Sequence, residues 1–176
     1  MDIFLKPFPG EKTAPALRIS AAVSRKETIL EAKFLVEGDL YALEIPSQAA
    51  NPERKARLWE ETCLELFLAP CDCPAYYEFN LSPSGHWNIY RFDSYRKGMR
   101  EEESIPAPLL WTVRNAEALR FSFEADIGNI LPKSAQADIG ISAVLRSVEG
   151  DLTHWAPTHP ASRPDFHHKD GFILKI

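Results

Sequence analysis

Cysteine is scarce in this 176-residue sequence, with only Cys63, Cys71 and Cys73 present. An odd number leaves at least one thiol unpaired, and Cys71 and Cys73, two apart in CDCP, are badly spaced for an unstrained mutual disulfide. We therefore expect a reducing, cytoplasmic setting. A zinc site on that pair would need two further ligands at recognisable spacing, and no second Cys or His pair stands nearby. Positive charge is also short: 20 Lys and Arg against 25 Asp and Glu leave a net charge of -5. Binding to phosphate backbones or anionic bilayers draws on the opposite balance, so neither nucleic acid nor a membrane surface is an expected partner. Long apolar runs are missing too. Nothing approaches the roughly 18 residues of a membrane span, and the apolar part of MDIFLKPFPG is too short, and too soon broken by Lys6 and Pro7, for a signal-peptide core.

Catalytic motifs are equally sparse. GNILPKS, residues 128–134, sets a Lys-Ser pair at P-loop distance from a glycine, but Pro132 removes a backbone donor that a phosphate would need. Ser94 to Lys97 matches Ser-x-x-Lys without the companion motifs that give those letters meaning. No cofactor is expected. At this length a single domain, residues 1–176, can bury about 70% of its unfolded surface without help from metals or disulfides.

What the sequence does contain is short alternating segments punctuated by turn residues. These predict an all-β chain, an antiparallel β-sandwich with long connecting loops. Candidate strands are 16–24, 29–37, 40–45, 63–69, 76–81, 87–92, 111–114, 119–127, 138–145 and 171–176. Gly38-Asp39 reads as the turn of a hairpin between 29–37 and 40–45, and Ser82-Pro83-Ser84-Gly85 as a turn joining 76–81 to 87–92.

In 63–69 the leucines at 64, 66 and 68 share one face while Cys63, Glu65 and Phe67 share the other. The same alternation on the next two strands gathers Glu65, Glu78, Asn80, Asn88 and Tyr90 on one sheet face. Such a face is either the wet side of a half-buried sheet or the lining of a cavity. Trp59 and Tyr76 favour the cavity, being poorly explained as solvent decoration. Carboxylates and amides beside aromatic rings suit a neutral polyhydroxylated ligand, whose C–H face stacks while its hydroxyls pair with Glu and Asn.

The loop 153–171, THWAPTHPASRPDFHHKDG, supplies a second polar set. Its prolines and aromatics favour a fixed functional shape, and we place Trp155, His159, Arg163 and Asp165 on the same cavity. Adjacent His167 and His168 would point apart, which argues against a metal held by both.

At these residues the sequence resembles the DOMON-like superfamily and, within it, family 9 carbohydrate-binding modules. Trp59 to Phe67, WEETCLELF, follows that family's Trp-Glu-x-Asp-Ser-Val-Glu-x-Phe strand, and Trp155 to Ile176 is similar to its terminal loop and strand. YYEFNLSPSG and RPDFHH look more closely like a bacterial subgroup of DOMON-like proteins named after a UDP-N-acetylenolpyruvoylglucosamine reductase. The resemblance implies an immunoglobulin-like or jelly-roll sandwich whose concave sheet binds a saccharide without cleaving it, Trp59 stacking and Glu65 accepting hydroxyl hydrogen bonds. Thr62-Cys63 in place of Asp-Ser, Asn80 where an Arg is common, and Ser162-Arg163 near the expected second tryptophan depart from the pattern. Three alternatives stay open: a glycoside hydrolase using Glu65 and Glu78 as paired carboxylates, a haem-binding DOMON domain, and an interaction domain with no small ligand. Met99, the one internal methionine, sits in a charged loop beside Arg100, a poor place for an axial haem ligand.

Overall fold

A computed structural model of the chain describes residues 2–13, 16–71 and 73–176. Among these the strands are β1 (Ile3–Pro7), β2 (Arg18–Lys26), β3 (Ile29–Glu37), β4 (Cys63–Pro70), β5 (Tyr76–Leu81), β6 (Trp87–Phe92), β7 (Arg100–Glu101), β8 (Leu109–Arg114), β9 (Ala118–Asp126), β10 (Ala137–Arg146), β11 (Leu152–Ala156) and β12 (Leu174–Lys175). All pair antiparallel, in the order β7-β6-β5-β4-β10-β11-β1-β2-β3-β9-β8, with β12 on β10. The result is an all-β sandwich. β1 joins its two sheets: Ile3 to Leu5 pair with β2, and Lys6 and Pro7 pair with β11.

Alternation decides what each sheet buries. Leu64, Leu66 and Leu68 of β4, Phe79 and Leu81 of β5, Ile89 of β6 and Ile139 and Ile141 of β10 point to the second sheet and meet Leu30, Phe34, Val36, Leu119, Phe121 and Phe123 in one core. The other face of β4 and β5 is also buried, so neither strand is half wet. A smaller aromatic cluster of Phe67, Tyr76, Tyr90, Phe92 and Phe172, with Trp59 and Phe166 beside it, covers that face. Gly140 makes room for it, since a Cβ there would stand 2.6 Å from the Phe172 ring.

Three sequence expectations need correction: of the strand expected at 171–176 only Leu174–Lys175 pairs, and Gly171 ends the 3-10 turn Lys169–Gly171. Residues 40–45 form no strand; Leu40–Ala42 is a 3-10 turn capped by the Asp39 side chain, and Gly38-Asp39 closes no hairpin. Both edges of β3 are already taken, by β2 and by β9 along the full length from Ile29 to Glu37, so the chain cannot fold back beside it. The loop expected at 153–171 instead begins as strand β11, which pairs with β10 and β1. The turn at 82–85 does join β5 to β6, with Gly85 at φ +93° and its N–H donating to the Ser82 carbonyl at 2.9 Å.

Candidate functional site

A cavity of about 400 Å³ opens on the aromatic face of the sheet. Glu65, Phe67, Glu78, Phe92 and Val144 of the strands, His154 of β11, Trp59, Arg96 and Met99 of the loops, and Pro164, Phe166 and His167 of the C-terminal segment line it. Register builds the floor: Glu65 lies opposite Asn80 on one side and Ser142 on the other, while Glu78 lies opposite Phe67 and Tyr90. The two glutamates are therefore diagonal neighbours on adjacent strands. Trp59 stands on the 3-10 turn Leu58–Glu60 and meets the Tyr90 ring edge-on at 5.8 Å.

Both carboxyls are nearly sealed from water, Glu65 at 2% and Glu78 at 5% exposure. Ser142 Oγ donates to Glu65 Oε2 at 2.9 Å, and Asn80 Nδ2 donates to Glu78 Oε1 at 2.9 Å. Neither has a guanidinium or ammonium partner at ion-pair distance among the described residues. Burial, and then the neighbouring Glu78 charge, push the Glu65 pKa well above the carboxylate range; burial raises Glu78 as well, opposed by Asn80 and Arg96. Each has one neutral donor, and the two titrate as a pair that keeps a proton at pH values where free carboxylates have lost theirs.

The wall near Glu78 is a fixed relay. The Arg96 backbone N–H donates to Tyr76 Oη at 3.2 Å, and Tyr76 Oη lies 2.8 Å from His167 Nδ1. Burial lifts the Tyr76 phenol to about 12, against the opposing hydrogen bond from the Arg96 backbone N–H; it stays protonated and donates to Nδ1. That leaves the His167 proton on Nε2, 3.9 Å from Glu78 Oε2. Burial, then the Arg96 charge, lower the His167 pKa to about 4, so the ring is neutral near pH 7. Asp165 clasps this wall together. It accepts from Arg96 Nη2 at 2.7 Å, from the Tyr95 hydroxyl and from the His167 backbone N–H at 3.1 Å. Burial alone would raise its pKa, but the Tyr95 and Arg96 hydrogen bonds outweigh it and hold the carboxylate low.

These shifts predict a pH profile of stability. The folded chain keeps a proton on the Glu65–Glu78 pair at pH values where the unfolded chain has released it, so this contribution falls as pH rises through the neutral range. His167 acts oppositely lower down: its unfolded form binds a proton below about 6.5 and its folded form only below about 4, so that contribution rises with pH between those values. Between the ordinary histidine range and that of thiols the carboxyl pair is the main contributor. The urea midpoint should drop between about pH 6.5 and pH 8, and Glu65→Gln should remove much of that drop; an unchanged slope in the variant would contradict the assignment.

The remaining sequence-derived candidates are placed variously. Asn80 holds Glu78 from behind the cavity. Asn88 is buried and engaged by the protein itself, with Arg54 Nη1 donating to its Oδ1 at 2.8 Å and its Nδ2 donating to Tyr90 Oη and Glu101 Oε1 at 2.9 Å. Tyr90 backs Trp59. Trp155 lies on the other face of the sheet, in the core, its indole N–H donating to Thr153 Oγ1. The parity of β11 gives the cavity to His154 instead. His159 Nε2 is 2.9 Å from the Lys6 carbonyl and its ring meets Phe8, which ties the loop to β1 away from the cavity. Arg163 is exposed and does not line the cavity.

Phe67, Phe92, Arg96, Met99, Val144, His154, Pro164, Phe166 and His167 were missed as site residues. Phe67 shares parity with Glu65, and Phe92 with Tyr90, so strict alternation would have found both. Among the described residues no three His, Cys, Asp or Glu side chains converge as a metal cage, and no helix is long and apolar enough to cross a membrane.

No protein-family model matches the chain, and no curated protein does. Among solved structures it is similar to a candidate carbohydrate-binding protein from Bacteroides uniformis, with TM-score 0.65 and 15% identity over 97% of this chain and 84% of that one. A family 9 carbohydrate-binding module from Caldicellulosiruptor kristjanssonii, solved with glucose, aligns with TM-score 0.48 and 10% identity over 82% of this chain and 69% of that one. The first likeness establishes a shared β-sandwich fold.

Proposed function

We propose that the chain is a single noncatalytic binding domain that takes a saccharide, or a similar small polyhydroxylated ligand, in the cavity over the β10-β4-β5-β6 face. The supporting observation is the cavity itself. Its size falls in the range of small-ligand sites, its walls are the rings of Trp59, Phe67, Phe92 and Phe166, and its floor carries two carboxyls with hydrogen-bonding capacity to spare. Trp59 takes the stacking face of the sugar, while Glu65, Glu78 and the Nε2–H of His167 take its hydroxyls. The Bacteroides protein of the same fold is itself a candidate carbohydrate binder. Three free thiols, Cys63 among them buried, fit the reducing, cytoplasmic compartment expected from the sequence.

A second function is favoured by the carboxyl pair. A glycosidase needs one carboxyl protonated and the other ionised, and the buried Glu65–Glu78 pair, diagonal on adjacent strands, holds a shared proton of that kind. Calorimetry against a panel of mono- and oligosaccharides, with assay of the same mixtures for released reducing sugar, separates the two. Binding without release supports the binding domain. Turnover that Glu65→Gln stops while the substrate still binds would make the chain a hydrolase. Haem, which the DOMON resemblance raises, fits the cavity badly. Two buried carboxyls on the cavity floor would face the apolar macrocycle.

A further inference from the structure

The least explained feature of the cavity is its charge. Two carboxyls, each more than nine-tenths buried, share the floor, and what the protein gives them is a serine hydroxyl and an asparagine amide. Glu65 Oε1 has no hydrogen-bond partner among the described residues, yet it is not one of the side-chain atoms sealed away without one; it opens on the cavity that Glu65 lines. Carboxylates buried together in this way destabilise a fold unless a proton or a cation joins them.

The protein's own cations are engaged elsewhere. Arg96, the guanidinium in the wall, is paired with Asp165 at 2.7 Å. His154 Nδ1 lies 2.7 Å from Glu11 Oε1, and Glu11 Oε2 accepts the His154 backbone N–H. His167 is turned toward Glu78 but stays neutral near pH 7. The titratable groups around the floor are thus Cys63 and Glu65 on β4, Tyr76 and Glu78 on β5, Tyr90 on β6, Arg96 and Asp165 in the clasp, and His154 and His167. Trp59, Phe67, Phe92 and Phe166 line the same cavity, and aromatic rings attract a desolvated cation over their faces.

We propose that the cavity selects a ligand bearing a positive charge, an amino sugar with a free amine, whose ammonium group sits between Glu65 and Glu78 within the aromatic walls. This rests on the saccharide function proposed above and narrows its ligand class. The ammonium supplies three donors where the floor has spare acceptors, and its charge takes the place of the proton that the two carboxyls otherwise hold. Binding near pH 7 therefore releases a proton from the carboxyl pair to the buffer, while the ammonium keeps its own.

The test is calorimetry near pH 7 with glucosamine, galactosamine and mannosamine, each beside its parent hexose and its N-acetyl form, in two buffers of different ionisation enthalpy. At least one hexosamine should bind roughly tenfold or more tighter than its parent, a difference of about 1.4 kcal/mol or more. N-acetylation, which removes the charge, should abolish the gain. The observed heat should depend on the buffer for the amine and not for the hexose. Glu78→Gln should bring the hexosamine-to-hexose ratio toward one, and should that variant fail to fold, the N-acetyl and buffer comparisons on the native chain still decide. Hexoses that bind as tightly as hexosamines, without proton release, would overturn the charge selection and leave the saccharide function standing. Cyclohexylamine binding as tightly as glucosamine would uphold the charge selection and overturn the sugar. No binding by any of these probes would overturn both.

Discussion

Replacing Trp59 by alanine should weaken saccharide binding by about 1–3 kcal/mol, roughly fivefold to 150-fold, and leave the fold largely unchanged. Trp59 is half-buried, stands on the short turn Leu58–Glu60 outside the sheet and packs edge-on against Tyr90. The face it leaves free is part of the cavity wall. Its ring therefore contributes more to a ligand than to the core. Calorimetric affinity alongside a urea denaturation curve separates the two effects. A large loss of stability with unchanged affinity would mean that Trp59 is a structural plug.

Phe67→Ala should show the reverse balance, with a stability loss near 3 kcal/mol, the low end of the cost for deleting a buried phenyl ring. Phe67 is 1% exposed, its ring centroid 5.7 Å from Phe172 and 5.2 Å from His167. It joins β4 to the closing segment of the chain. The low end is expected because the void would merge with the existing cavity, where water can enter, rather than remain an empty hole. Affinity should fall too, since His167 loses the ring that helps hold its Nε2–H toward Glu78. Urea midpoints give the first effect and calorimetry the second; a loss below about 1 kcal/mol would show that the aromatic cluster does not anchor the C-terminal segment.

Much of the central sheet was legible because β4, β5 and β6 alternate strictly and the turn at 82–85 has the residues its geometry demands. That alternation also identified Glu65 and Glu78 as neighbours on one face. It could not show that the face is roofed, since that depends on residues 164–172, distant in sequence, folding back over Phe67. β1 was illegible for another reason. Five residues divided between two sheets carry too short a pattern to separate from any apolar terminus. The placement of Trp155 failed by one residue of parity: read as loop, 153–156 had no faces, whereas as β11 it must send Trp155 to the core and His154 to the cavity. Residues 40–45 alternate well enough for a strand, but a strand needs a free edge, and which edges are free is a property of the whole sheet.

The four tryptophans offer the most direct test of where the ligand sits, because each reports a different region. Trp59 lines the cavity, Trp155 is in the core, Trp87 lies under the Arg54 guanidinium at 4.3 Å, and Trp111 is half-exposed on the edge strand β8 of the other sheet. In a nuclear magnetic resonance titration of the indole N–H signals with a saccharide that calorimetry shows to bind, the Trp59 signal should move with the binding isotherm while those of Trp87, Trp111 and Trp155 hold still. A Trp111 signal that moves while Trp59 stays fixed would put the ligand on the opposite sheet and contradict the assignment of the cavity.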